Sequence, residues 1–365
     1  MQHTGGADLL GRYTFNSIAD LAAGNPASYN RTLRLPARDG TVWNAATALA
    51  HQWAPSRFFG VLYGARVEAN GFAGAPARNP ALEQALGVRS ALAPTRVHVS
   101  PRVGFSWTYN RDKDNGNGSS NNNVGQFYRS TSGVLRGGIG EFRDLLRPDL
   151  LADASARTGL PGATEVLSCV GTGVPMPDWN GFLTSPDALP TTCTDGSGPL
   201  AERAPSVLLI DEGYDVPRSW EGYDVPRSWR ASLDWNSNIG PWTVRVGALG
   251  SYDLAQPGTV DANFAGTQRF VIDEEGGRPV FVSTAAIDAA SGALSAAESR
   301  RTADYGRVSM RTSALRGYGG QLTFQVAPDV FKMRRVPGSP FVSLAYTLQS
   351  TRRQFRGFDG GGFGD

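Results

Sequence analysis

The residues able to do chemistry are few and scattered. There are three histidines, His3, His51 and His98, with no spacing that suggests a shared metal. His51 sits in a strand-like run and reads as a wall residue. The hydrolase elbow GxSxG, a P-loop and HExxH are all missing. Asp112-Lys113-Asp114-Asn115-Gly116 opens like a calcium loop, but an EF-hand wants glycine at position six and glutamate at twelve. Those positions hold Asn117 and Asn123. Asp211 and Glu212 can serve glycoside hydrolysis only if a fold places two acids about 5–10 Å apart in a cleft. Trp179 and Phe182 can stack on a sugar or peptide, or simply pack a loop. Cys169 and Cys193 lie in one loop-like stretch without CxxC or a nearby histidine. That pair reads as a disulfide made in an oxidising compartment, with two free thiols as the alternative. No catalytic residue, metal or cofactor is expected, and the chain does not read as an enzyme.

The composition narrows the class of partner. The net charge of +2 gives no bulk basic field for nucleic acid. Lys113 and Lys332 are the only lysines among 35 basic residues. No run approaches ~18 apolar residues, so no transmembrane helix is expected. Gly 45 in 365 residues is about 12%, against a usual ~7%, and argues against a helical bundle. Aromatic content of 10% argues against wholesale disorder. The start, MQHTGGADLLGRYTF, lacks the apolar stretch of a signal peptide. Both ends read as cut from something longer.

The elements that position these residues are strands. Val103, Phe105, Trp107 and Tyr109 alternate with Arg102, Gly104, Ser106, Thr108 and Asn110. The same period of two runs through Phe59–Ala69, Trp229–Asn236, Trp242–Asp253, Gln321–Val326 and Phe341–Gln349. A soluble sandwich or propeller alternates with its apolar face inward. A membrane barrel alternates with that face toward lipid. Segments near ten residues suit tilted membrane strands, which need about 9–11, better than soluble strands of about 5–6. Arg66, Glu68, Arg102, Arg230 and Arg245 among glycines suit a wet interior. Aromatics near segment ends (Phe59, Trp107, Trp229, Trp242, Tyr252) suit an interfacial girdle.

Connections fall into two classes. Ala54–Arg57 and Asn238–Pro241 are short; Asp112–Asn123, Arg143–Pro205 and Gly276–Thr302 are long and polar. Barrels of the outer membrane divide their connections this way, with the long loops outside. One helix is expected, over Asp144–Thr158, with Pro148 in its first turn and Gly159 at C′. Glu212–Trp220 reads EGYDVPRSW, and Glu221–Trp229 repeats it without change. Nine extra residues within a paired strand would invert every following side chain. The first copy is therefore expected to loop out, while the second runs into the strand at Arg230.

These residues together resemble a family. VSPRVGFSW at 99–107, GGIGEFRDLLRPDLLADASARTG at 137–159, CVGTGVPMPDW at 169–179, VPRSWRASLDW at 225–235 and the ending FRGFDGGGFGD look like the barrel of TonB-dependent outer-membrane receptors. The branch is the one carrying a carboxypeptidase-regulatory-like domain (Oar-like). The doubled EGYDVPRSW departs from the single copy expected. The resemblance implies that residues 1–365 are part of a 22-stranded antiparallel transmembrane β-barrel, with a long external loop at about 143–205. It implies a plug domain and TonB box that do not precede these strands, outer-membrane lipid around the barrel, and the TonB complex as partner. The implied function is active uptake of a siderophore, oligosaccharide or peptide across the Gram-negative outer membrane. The rival readings are a passive porin or adhesive barrel, and a secreted β-propeller or sandwich acting on carbohydrate.

Overall fold

The computed structural model describes residues 8–109, 133–185, 188–195, 199–211, 222–239, 242–328 and 342–354. Two short strands, β1 (Arg12–Thr14) and β2 (Ser28–Arg34), flank helix α1 (Ile18–Ala23). The long strands β3 (Val42–Ser56) and β4 (Phe59–Phe72) follow, then α2 (Pro80–Leu86), β5 (Thr95–Tyr109) and β6 (Gly133–Arg143). Next come α3 (Pro148–Ala156), β7 (Glu165–Val170), α4 (Trp179–Thr184), β8 (Ala201–Pro205) and β9 (Val207–Ile210). The later strands are β10 (Arg227–Ile239), β11 (Trp242–Asp261), β12 (Phe270–Ile272), β13 (Arg278–Val280), β14 (Val308–Pro328) and β15 (Leu344–Arg353). Among the described residues strands hold 53% and helices 14%, so the described part is mostly β.

One large sheet dominates. It runs β3-β4-β5-β6-β10-β11-β14-β15, every neighbour antiparallel, and β9 adds a parallel contact to the start of β14. Each segment singled out by its alternation lies within one of these long strands or overlaps it. The strands are 10 to 21 residues long, well beyond the ~5–6 of ordinary soluble sheets. The sheet is open. Among the described residues neither edge, β3 or β15, pairs with a further strand, and no closed barrel is formed.

At one end the connections are tight. Ser56 pairs with Phe59 and Ile239 with Trp242. The first turn is shorter than expected, because Ala54 and Pro55 belong to β3. They sit in the register shift between Trp53 and Ser56, where a missing proline N–H breaks no regular ladder. Tyr109 pairs with Gly133 at this same end. Asp112–Asn123 lies outside the described residues.

At the opposite end the long connections fold into a cap with its own core. The stretch 143–205, expected as a loop with one helix, contains α3, α4, β7 and β8. β7 and β8 join β1 and β2 in a second sheet, ordered β1-β2-β7-β8. Helix α3 spans less than the expected 144–158. Pro148 opens it and Arg157 caps it, which puts Gly159 one place beyond C′. Gly159 still needs to be glycine: its φ is +72°, and a Cβ there would lie 2.8 Å from Val207 Cγ2. Strand β9 reads VLLI and is buried on both faces. Leu208 and Ile210 pack with Phe72, Leu151 and Val225; Val207 and Leu209 pack with Leu82, Leu86 and Val308. An unbroken apolar run is what a strand between two layers requires.

Polar keystones tie the cap together. The Asn79 side chain caps α2 by accepting from the Leu82 amide, donates to the Thr158 carbonyl and accepts from the Tyr305 hydroxyl. Asn263 is fully buried; its amide donates to the carbonyls of Thr302, Tyr305 and Gly306 and its oxygen accepts from the amides of Arg301 and Thr302. Cys169 of β7 is bonded to Cys193 with a Cα–Cα distance of 5.6 Å.

Candidate functional site

The register of the large sheet sorts its residues into two faces, since directly paired residues point the same way. One face carries Trp53, Val61, Phe105, Gly137, Leu233, Ala248, Leu322 and Leu348 in a single row across all eight strands. Two positions toward the tight turns the row reads Phe59, Trp107, Leu135, Trp235, Val246, Phe324 and Tyr346. Toward the cap, Trp229, Tyr252 and Tyr318 are adjacent. The Trp235 indole donates to the Tyr109 hydroxyl at 2.6 Å.

The other face is polar and small. One row holds Ala50, Gly64, Arg102, Gly140, Arg230, Ser251, Gly319 and Thr351. Arg136 pairs directly with Asp234, and Asn236 with Arg245. Arg66 holds Glu68 at 2.6 Å. Arg102 and Arg230 lie over the Phe142 ring at 4.2 and 5.4 Å. Leu62, Phe142 and Leu249 are large apolar residues on this face. They border a trough of about 550 Å³ floored by Gly104, Gly138 and Ser232. Among the described residues no layer covers either face in mid-sheet. Leu49 is 83% exposed, Ile139 48%, Leu322 48% and Leu348 56%, and the buried clusters all lie outside this region.

A charged cluster marks the join of sheet and cap. The pairing of β5 with β6 ends at Arg102 and Gly140. Beyond it, Arg143 donates to Glu141 Oε1 at 2.8 Å and to Asp224 Oδ2 at 3.1 Å, all three side chains about 95% buried. His98 Nε2 lies 3.1 Å from Asp224 Oδ1 but is not aligned for a hydrogen bond. Ser313 Oγ donates to the Asp224 carbonyl and accepts from its amide. Each charge here has a partner, as burial demands. The cluster ties sheet and cap together.

The residues anticipated from sequence are placed as follows. Trp179 and Phe182 are both in α4, with ring centroids 6.2 Å apart. Tyr13 of β1 meets both, at 5.6 and 6.3 Å, and Tyr29 at 4.5 Å. Trp179 remains 50% exposed, so the cluster is a shelf with a buried back. The Tyr13 hydroxyl is buried with no hydrogen-bond partner among the described residues, and burial pushes its pKa up to about 12. Tyr29 is fully buried beside the disulfide. His51 is exposed on β3, edge-on to Tyr63 at 5.4 Å. Asp211 is buried at the end of β9, while Glu212, His3 and the calcium-like stretch lie outside the described residues. Among the described residues no cluster of three His, Cys, Asp or Glu can hold a metal ion. The charged junction had a faint signal in sequence, Glu141 and Arg143 two apart on one strand, but its partners come from distant segments.

A comparison with known protein families finds no matching model, and a comparison with characterised proteins finds no significant match.

Proposed function

We propose that the large sheet is a wall segment of an outer-membrane β-barrel, and that the protein is a receptor taking up a scarce solute. The observation that carries this is the exposed apolar face of the sheet, with glycine, serine and arginine on the reverse. In water such a face costs free energy at about 25 cal/mol per Å². Facing lipid it does not, and the polar reverse lines a wet lumen.

The dimensions support the same reading. From Trp229 to Ile239 is ten residues along β10. At a rise of ~3.4 Å that is about 34 Å, and with a strand tilt of about 40° about 26 Å of height. An outer-membrane apolar band is about 25 Å tall. Trp229, Tyr252 and Tyr318 then sit at one interface, and Trp107, Trp235 and Trp242 toward the other. The cap lies on the side of the long connections, the external side in such barrels. A sandwich needs a second layer over the apolar rows, and the described residues supply none.

The resemblance to TonB-dependent receptors extends the proposal to mechanism. The cap captures a siderophore, oligosaccharide or peptide, and a plug moved by the TonB complex admits it. Collapsing the inner-membrane gradient then abolishes uptake while leaving capture intact; a passive porin or adhesive barrel loses neither. The wall itself is tested by substitution. Phe105→Arg places a charge in lipid and costs about 2–4 kcal/mol near the midplane. Ser106→Arg places the same charge in the lumen. The first is expected to block assembly into outer membranes and the second to permit it. Equal effects contradict the proposal.

A further inference from the structure

Between the small sheet of β1, β2, β7 and β8 and the segment that leads into β14 lies a cleft of about 230 Å³. Five arginines reach its wall, Arg12, Arg31, Arg157, Arg300 and Arg307, against the acids Asp8 and Glu202. Several of these charges are already engaged. Arg12 pairs with Asp8 at 3.5 Å. Arg31 donates to the carbonyls of Leu9, Leu189 and Pro190. Arg300 holds Asp261 at 2.6 Å and lies 3.9 Å from Glu202. Arg157 is different. Among the described residues no acid pairs with it, and its Nε is buried without an acceptor. The Arg300 Nε is buried without an acceptor as well.

Buried donors of this kind are costly unless something accepts from them. Five guanidinium groups against two acids make the lining cationic, and Ser168 and Ser309 belong to its wall. Guanidinium groups match the oxygens of carboxylate and phosphate in pairs. The volume is below the ~300–1,000 Å³ of sites for drug-sized ligands, which sets an upper bound on the occupant. Burial raises the pKa of the Glu202 carboxyl, with Asp261 adding to the rise and Arg300 opposing it. A carboxyl held toward its neutral form repels an incoming anion less.

We propose that this cleft binds a small multiply charged oxyanion, a phosphate or compact polycarboxylate, clamped by Arg157 with Arg300 and Arg307. The site belongs to the cap and does not depend on the lipid-facing assignment of the large sheet, so its failure would leave that assignment untouched.

The test is calorimetric titration of the full chain, disulfide intact and in detergent, with inorganic phosphate and separately with citrate at low salt. One-to-one saturable binding of at least one probe is expected. Arg157→Gln should weaken it tenfold or more, whereas Arg230→Gln on the large sheet should not change it. Absence of saturable binding by both probes overturns the proposal, as does an Arg157→Gln variant that binds like the parent. A second measurement needs no variant. Phenylglyoxal modification followed by peptide mass spectrometry should show Arg157 protected by the bound probe and exposed Arg57 unprotected. Equal labelling of Arg157 with and without probe contradicts the site even if the variants fail to fold.

Discussion

Deleting the first EGYDVPRSW, residues 212–220, should leave the fold in place and slightly stabilise it. Chain continuity is the reason. The described fold leaves off at Asp211 and resumes at Gly222, and the Asp211 carbonyl accepts from the Tyr223 amide at 2.6 Å. With 212–220 removed, the order becomes Asp211, Glu221, Gly222, Tyr223. That same hydrogen bond is then the first-to-fourth bond of a β-turn, with aspartate first and glycine third, both favoured positions. The separation of its two ends falls from twelve positions to three, two doublings of loop length, worth about 1.2 kcal/mol of closure entropy. The second copy stays where it is built in. Tyr223 and Val225 pack on the core, Asp224 meets Arg143, and Trp229 lies opposite Glu141 and Tyr252. Docking the first copy in those places would push nine residues out of the ladder just before Arg230, in mid-sheet. The assay is the yield and thermal midpoint of protease-resistant protein for the nine-residue deletion, with deletion of Ser232 alone for comparison. Loss of Ser232 inverts the facing of the rest of β10 unless a bulge absorbs it, and should be far worse. A nine-residue deletion that abolishes folding while loss of Ser232 is silent would refute this placement.

Three further outcomes are expected. Arg143→Ala leaves Asp224 buried without its cation and Glu141 with only Arg227 at 3.9 Å, and should destabilise by about 3–5 kcal/mol, whereas Arg66→Ala on the open face should cost under about 1 kcal/mol; denaturant titration separates them. Replacing both Cys169 and Cys193 by alanine opens a link of sequence separation 24 and should cost about 3.5 kcal/mol, read as a lower melting point than the parent under non-reducing conditions. Glu83 accepts from Arg78 and from the Ser90 amide, which lowers its pKa from 4.5 to about 2. Its contribution to stability is therefore full above the unfolded value and is lost only as pH falls from about 4.5 through about 2. The Ser90 amide should stay protected from hydrogen exchange at pH 3.5 in the parent and lose that protection in Glu83→Gln.

The long strands were legible because their pattern is long. Eight residues of strict alternation, as in Arg102–Tyr109 or Trp229–Asn236, survive any ambiguity about single positions. The cap was not legible, because its elements are too short to show a period. Helix α1 is IADLAA and β1 is RYT. The cap is held by contacts between distant segments, such as Asn79 at the start of α2 with Tyr305. Helix α2 had a readable start, Asn79 followed by Pro80, and a readable stop, Gly87 at φ +72°. The cysteine pair was legible from composition alone. The junction of Glu141, Arg143, Asp224 and His98 was not, since which charges meet depends on where β5 and β6 cease to pair.

The central claim is that alternate positions of the long strands face lipid and water, the odd positions of β10 facing lipid and its even positions water. Single cysteines placed along β10 at 231, 232, 233, 234, 235 and 236, each carrying a nitroxide in the membrane-assembled protein, test this directly. Accessibility to oxygen, which concentrates in lipid, should peak at 231, 233 and 235. Accessibility to a water-soluble nickel chelate should peak at 232, 234 and 236, with a clean period of two. The same accessibility to the chelate at all six positions would contradict the account.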